Sequence, residues 1–311
     1  MAHDVNRRVF LQRVGQAGGL VLGGSILDSA LVACGGNIST PATTIAGNGT
    51  KIVRVGNQGL KLSGVMQWGA TADDGAPYVY LNPKTGKLVG FELEIAVALA
   101  ALMEVTQKEI ETDYTQLDQS LQAGAFDFIM NGWEITDDRK KTEIFSDPYY
   151  LNGQQIVVRA NDPRFANKTI NDTLSLKDLE GYKVGTGAGY KAEELLSEDK
   201  KISLKSYDPD LPFNDLALGR IDAVLIDYST VTYYVLGYGS GSTANKALKL
   251  IGKTFDANGY VIAFNKNSST ALTLQKELNQ ALTILKNNGT LKQIYQRWGL
   301  WNDQQAQIGV M

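Results

Sequence analysis

Any chemistry in this chain must come from carboxylates, lysines, arginines, tyrosines and hydroxyls. The single His is His3 and the single Cys is Cys34. Neither lies in the body of the chain, so a His-based triad, a His metal site and an intramolecular disulfide are excluded there. The charged residues with informative spacing lie between Leu121 and Tyr150, LQAGAFDFIMNGWEITDDRKKTEIFSDPYY. Arg139 carries a planar fork suited to two oxygens of one anion. Glu134 stands five residues before it. Further on, Asp227 follows the apolar run Ala223 to Ile226.

The elements that must position these groups follow from pattern. Leu117 and Leu121 lie four apart, on one helix face. Gly124 stops that helix. Ala125 to Met130 has the length of a buried strand, closed by Asn131 and Gly132. Thr136 with Asp137 and Asp138 reads as a helix start, a capping hydroxyl followed by acids. In an open α/β sheet, ligands collect beyond the carboxyl ends of strands. The loop 131–136 is therefore a natural binding edge, with Arg139 one turn behind it.

A second stretch has the same spacing. Leu121-x-x-Gly124-x-x-Asp127 leads to Asn131-Gly132, and Leu216-x-x-Gly219-x-x-Asp222 leads to Asp227. Either the match is chance, or two lobes of similar build each end a strand at a shared cleft. In the second case Gly132 and Asp227 face each other.

The remaining chain falls into blocks. Asn6 to Leu11, NRRVFL, looks like a twin-arginine export motif. Leu31-Val32-Ala33-Cys34 looks like a lipobox, or else ends a plain secretory signal. A small, polar tether follows. Ile52 to Val55 and Gly64 to Met66 read as strands, and Trp68 to Tyr80 as a loop leading into a strand. Phe91 to Met103 reads as an amphipathic helix. The turn Gly185-Thr186-Gly187-Ala188-Gly189 precedes a helix at Lys191–Leu196, an arrangement that points backbone N–H groups at an anion. Its G-x-G-x-G spacing does not match the dinucleotide pattern. Stripes over 274–285 and 291–298 read as packing. Apolar content is 43% and net charge −3, without the basic footprint that nucleic acid requires. The length suggests two domains.

The blocks GAPYVY, GFELEIAVALA, GRIDAVLID and GYVIAFNK, with G-x-x-x-T-x-x-R-x(6)-F-S-x-P-Y between them, resemble bacterial extracytoplasmic solute-binding proteins of family 3. These are amino-acid-binding subunits of ABC importers. The resemblance implies a two-lobed α/β fold of the periplasmic-binding-protein kind (type II), each lobe a mixed sheet flanked by helices. It implies a signal over 1–33, a tether over 34–50, lobe 1 over 51–148 and 261–311, and lobe 2 over 154–255. Hinges are expected at 149–153 and 256–260. A monomeric lipoprotein anchored at Cys34, an ABC permease partner and no cofactor, metal or catalytic residue are also implied. A cyclohexadienyl dehydratase-like enzyme on the same fold, with Glu134 as acid, is the alternative. A receptor's sensor domain is disfavoured, because no membrane-spanning stretch follows Trp298.

Carried over position by position, the resemblance places Arg139, Asp227, Glu134, Gly132, Trp133, Tyr78, Phe91, Gly189, Tyr190, Lys191 and Asp74 at the ligand. Tyr78 and Phe91 are either pocket walls or core. A zwitterionic amino acid needs a cation for its carboxylate and an anion for its ammonium, which suits Arg139 and Asp227. Three departures stand out: Glu134 where the family has Thr or Ser, Gly189-Tyr190 where it has Gly-Thr, and Ala72 where it has Asp, with Asp73 and Asp74 displaced. The added acids favour a polar or cationic side chain.

Overall fold

The computed structural model describes residues 54–72, 75–208 and 211–311. The export motif, Cys34, the tether and Asp73–Asp74 lie outside these residues. Two five-stranded mixed sheets organise the described chain. Strand β1 (Val65–Ala70) runs into a loop and the short hairpin β2 (Tyr80–Leu81) and β3 (Leu88–Val89). Trp68, expected in a loop, lies inside β1 and is fully buried. The alternating pleat carries Met66, Trp68 and Ala70 into the core together.

Helix α1 (Phe91–Met103) coincides with its expected span. Phe91, Ile95 and Leu99 are fully buried along one stripe, each contributing about 2 kcal/mol by burial. Gly90 precedes it at φ 147, where a Cβ would lie 1.9 Å from the Tyr78 carbonyl oxygen. Only glycine permits that approach. It lets the Phe91 and Glu92 amides bond the Pro77 and Tyr78 carbonyls, which fixes the Tyr78 loop on the helix start.

Next come β4 (Thr106–Glu111), α2 (Leu117–Gln122), β5 (Phe128–Ile129), α3 (Arg139–Thr142) and β6 (Glu143–Phe145). The chain then enters the second sheet through β7 (Tyr150–Arg159). There follow β8 (Lys183–Gly187), α4 (Lys191–Glu198), β9 (Ser203–Tyr207), α5 (Phe213–Ala217), β10 (Ala223–Asp227), α6 (Tyr228–Tyr234) and β11 (Leu248–Tyr260). It returns to the first sheet with β12 (Ala263–Asn265), α7 (Ala271–Asn287) and α8 (Thr290–Arg297).

The first sheet is ordered β4-β1-β5-β12-β6, the second β11-β7-β10-β8-β9. In each, parallel strands occupy one side and antiparallel pairs the other. The chain crosses between sheets twice, and the crossing segments pair with each other. Tyr150 faces Tyr260, Leu151 faces Gly259 and Asn152 faces Asn258. Separate apolar clusters lie under the two sheets.

The repeated spacing is a repeated structure. Gly124 and Gly219 both have positive φ, and each directly follows the C-cap residue of its helix. Asp127 accepts from the Gln67 amide and Asp222 from the Lys183 amide, each a residue of the neighbouring parallel strand. No helix among the described residues is long and apolar enough to cross a membrane.

Candidate functional site

One edge of the site is the loop leaving β5. Gly132 has φ +59, and a Cβ there would lie 2.7 Å from the Tyr78 ring. The loop is held from behind. The Asn131 side chain accepts from the Thr71 amide at 2.9 Å. The Glu92 carboxyl accepts from the Gly132 amide at 2.8 Å and the Tyr149 hydroxyl at 2.5 Å. The Trp133 indole donates to Glu143 at 2.9 Å. Thr136 caps as expected, accepting from the Arg139 amide at 3.2 Å.

The Arg139 guanidinium lies 3.4 Å above the Trp133 ring centre, within cation–π range. It donates to the Glu134 carbonyl at 2.8 Å and reaches toward the Gly189 carbonyl of the other sheet's half at 3.5 Å. Glu134 is buried, and its Oε1 has no hydrogen-bond partner. Burial, and then the charge of Asp227, push its carboxyl well above the usual range, against the pull of Arg139.

The opposing edge is the end of β10. Asp227 is 4% exposed. Its Oδ2 accepts from Tyr260 at 2.6 Å and Tyr78 at 3.2 Å, and its Oδ1 accepts from Gln154 at 2.7 Å. Burial raises this carboxyl while those hydrogen bonds lower it. The Tyr78 hydroxyl crosses from the first half into this cluster. It hydrogen-bonds Ser229 at 2.7 Å, Tyr260 at 2.9 Å and Thr230 at 3.2 Å. With Asp227, four oxygens lie within 3.2 Å of this one hydroxyl, which bridges the halves.

Between the edges lies a cavity of about 280 Å³ lined from both halves, with Tyr78, Tyr114 and Gly132 on one side and Tyr190, Asp208 and Asp227 on the other. The Tyr114 and Tyr190 rings meet across it, 5.2 Å apart. Four expected residues, Tyr78, Gly132, Tyr190 and Asp227, line this space directly. Trp133, Glu134, Arg139 and Gly189 form the wall behind it through the contacts given above. Phe91 is fully buried and packs behind Tyr78 with ring centres 5.5 Å apart, so it backs the pocket from the core. Lys191 pairs with Glu194 at 3.0 Å. Asp74 lies outside the described residues.

The Gly-rich turn is occupied internally. Gly185 to Gly187 belong to β8, and the Ala188, Gly189 and Tyr190 amides bond Tyr207, Glu193 and Gly187. In this conformation its N–H groups therefore point at the chain's own acceptors. Sequence reasoning missed Tyr114, Asp113, Asp208 and Tyr260 as site residues, while Asn131 lies in the 131–136 loop expected to be the binding edge. Tyr114 and Asp208 follow the ends of β4 and β9, so the strand-end rule could have found them. Among the described residues, no group of three or more His, Cys, Asp or Glu could hold a metal ion.

The family model for bacterial extracellular solute-binding proteins, family 3, matches residues 69–300. The L-cystine-binding protein TcyJ of Escherichia coli is 32% identical over 215 residues, 68% of this chain and 75% of that one. The probable amino-acid-binding protein YxeM of Bacillus subtilis is 31% identical over 238 residues, 75% and 83% of the two chains. Among solved structures, an ancestral arginine-binding protein bound to arginine is 33% identical, with a TM-score of 0.62 over 76% of this chain and 98% of that one. The ancestral protein bound to glutamine is 32% identical, with a TM-score of 0.63 over 77% and 100%. These relatives are binding proteins rather than enzymes, which does not favour the dehydratase reading. The two mixed sheets, together with these structures, give the periplasmic-binding-protein fold. The chain belongs to the bacterial extracellular solute-binding proteins of family 3.

Proposed function

We propose that this protein captures an amino acid between its two halves and delivers it to the permease of an ABC transporter, held at the membrane by a lipidated Cys34. The observation that carries the reading is the cavity lined from both halves, with buried Asp227 on one edge and the Asn131–Gly132 loop, backed by Arg139 at the start of α3, on the other. Asp227 and Glu134 are the partners for a ligand ammonium. Glu134 Oε1 has no protein partner, so an ammonium can satisfy it without displacing one. Arg139 is the partner for the carboxylate. Burying both ligand charges is favourable only if both are paired at once. Closure on the ligand follows, because the closed form makes contacts with it that an open form lacks. The paired crossings at 149–153 and 256–260 are the two strands of the hinge. Asp113 and Asp208 at the cavity margin, with Glu134, support a polar or cationic side chain.

A thermal-shift screen of the purified protein against the twenty amino acids and L-cystine tests the reading. A ligand at ~100 times its Kd adds about 2.7 kcal/mol of stability. No shift with any of them would overturn it. For the anchor, Cys34→Ala should release the protein from membranes of a bacterial host; unchanged association would refute lipidation at that residue.

A further inference from the structure

Three consecutive residues of the ligand loop each involve a different buried acid. Gly132 donates its amide to Glu92, Trp133 donates its indole to Glu143, and residue 134 is itself a glutamate. Glu92 is fully buried and Glu143 is 2% exposed. Each of the two has one oxygen on the loop; Glu92 Oε2 is buried without a hydrogen-bond partner, and the Glu143 carboxyl also meets Asp118. Neither makes an ion pair among the described residues. Glu92 also takes the Tyr149 hydroxyl, at the first crossing between the sheets. It therefore ties the ligand loop to that crossing.

We propose that Glu92 and Glu143 are positioning residues that hold the Gly132–Trp133 loop in its ligand-binding shape from behind, and that loss of their protons loosens it. The proposal rests on the binding reading above. Its physical basis is the surroundings of each group. Facing Glu92 are the Tyr149 and Tyr295 hydroxyls and the Gly132 amide. Facing Glu143 are Asp118 from α2, the Trp133 indole and, farther off, Arg139. Burial pushes both carboxyls up to about 8, so both are neutral acids at neutral pH. A proton on Glu143 can be shared with Asp118, which itself holds Gln122 at 3.2 Å. Removing that proton places a charge beside Asp118 and next to Trp133, the ring on which Arg139 lies. Removing the proton of Glu92 leaves a charge in the core with no cation beside it. An uncompensated buried charge drives rearrangement toward water.

The test uses the full-length chain and L-arginine as probe. Calorimetric affinity should hold steady from about pH 6 to about pH 7, then weaken about threefold or more by about pH 8.5. Glu92→Ala and Glu143→Ala should weaken binding about tenfold throughout. Glu92→Gln and Glu143→Gln, which keep the acceptor but cannot ionise, should recover most of that loss and flatten the pH profile. In the ligand-free protein, the Gly132 amide should exchange with solvent about tenfold faster in Glu92→Ala, and at close to the wild-type rate in Glu92→Gln. A wild-type pH profile shared by the Gln variants, or no rescue by Gln, would overturn the proposal. If L-arginine fails to bind at any pH, the ligand assignment is at fault. Amide exchange then decides the positioning role alone, with unchanged exchange in Glu92→Ala refuting it.

Discussion

The two helix–Gly–Asp–strand units are built alike up to the strand and differently beyond it. In both, a leucine buries, a glycine turns at positive φ, and an aspartate caps the neighbouring parallel strand. The first unit then ends in the Gly132–Trp133 turn, braced by Glu92 and Glu143 from behind, with buried Glu134 next along the loop. The second ends in Asp227, whose carboxylate stands at the cavity and is braced by Tyr260, Gln154 and Tyr78. The first unit offers a shaped backbone, a nearby cation and the buried Glu134; the second offers the buried Asp227. The difference suits a ligand with two unlike ends. Burial raises acids in both halves, Glu92 and Glu143 in the first and Asp227 in the second, while Asp162 of the second is held down to about 2 by hydrogen bonds from Arg164 and by the charge of Arg159.

The largest expected effect comes from removing the charge of the second unit. Asp227→Ala should weaken L-arginine binding roughly 30-fold or more, since truncating one partner of a buried charge pair costs about 2–5 kcal/mol. Arg139→Ala should do the same, and Arg139→Lys should recover only part, having no fork. Calorimetric titration of the folded variants measures this. Near-wild-type affinity in either alanine variant would dissolve the division of labour between the units.

Gly132→Ala comes next. Its φ of +59 and the Tyr78 ring 2.7 Å from the added Cβ should cost about 2 kcal/mol of stability. Affinity should drop as well, because Tyr78 must move off the Asp227 cluster. A denaturant titration showing wild-type stability would mean that the loop is less constrained than its geometry indicates.

The acids raised by burial and the hydrogen-bonded Asp162 should then respond oppositely to pH. Glu92 and Glu143 are pushed up to about 8 and Glu109 to about 7, each by burial first. The folded chain therefore keeps protons that the unfolded chain loses from about pH 4.5 upward. Their contribution is fully present below that pH and is lost as pH rises toward about 8. Asp162 behaves inversely: its contribution is present above about pH 4 and lost as pH falls through about 2. The melting temperature should fall by several degrees between about pH 5 and about pH 8.5. The double variant Glu92→Gln, Glu143→Gln should fall less. A flat wild-type profile would contradict the assignment.

The smallest effect tests the likeness itself. Gly124→Ala and Gly219→Ala both place a Cβ at positive φ, with only Lys61 and Arg159 atoms beyond 3.5 Å. Each should cost about 1 kcal/mol. Costs that differ by more than about 1 kcal/mol would show that the units are alike in spacing only.

Local pattern carried much of the architecture. The helix at Phe91–Met103 was readable because its apolar period is unbroken and a glycine precedes it. The paired units were readable because glycine at a helix end and aspartate at a strand start have local mechanical reasons to be there. Trp68 was misplaced because a polar stretch follows it closely, while its own burial depends on strands far along the chain. The resemblance leaves Phe91 open between pocket wall and core. Its ring in fact backs Tyr78, and the side on which a helix residue packs depends on what covers it.

By itself, the sequence determined which chemistry is possible: no His or Cys in the body of the chain, a forked cation at Arg139, and an acid ending the strand at Asp227. Those are properties of residue type and of spacing within one element. Only the tertiary structure decided which groups meet. Tyr260 reaches Asp227 from 33 residues away, Tyr78 from 149 and Tyr149 reaches Glu92 from 57. Such pairings are set by sheet order and by the two crossings between the sheets. Protonation follows from the same cause, because the energy of a carboxylate depends on the neighbours that exclude water from it, and those neighbours arrive only when the chain folds.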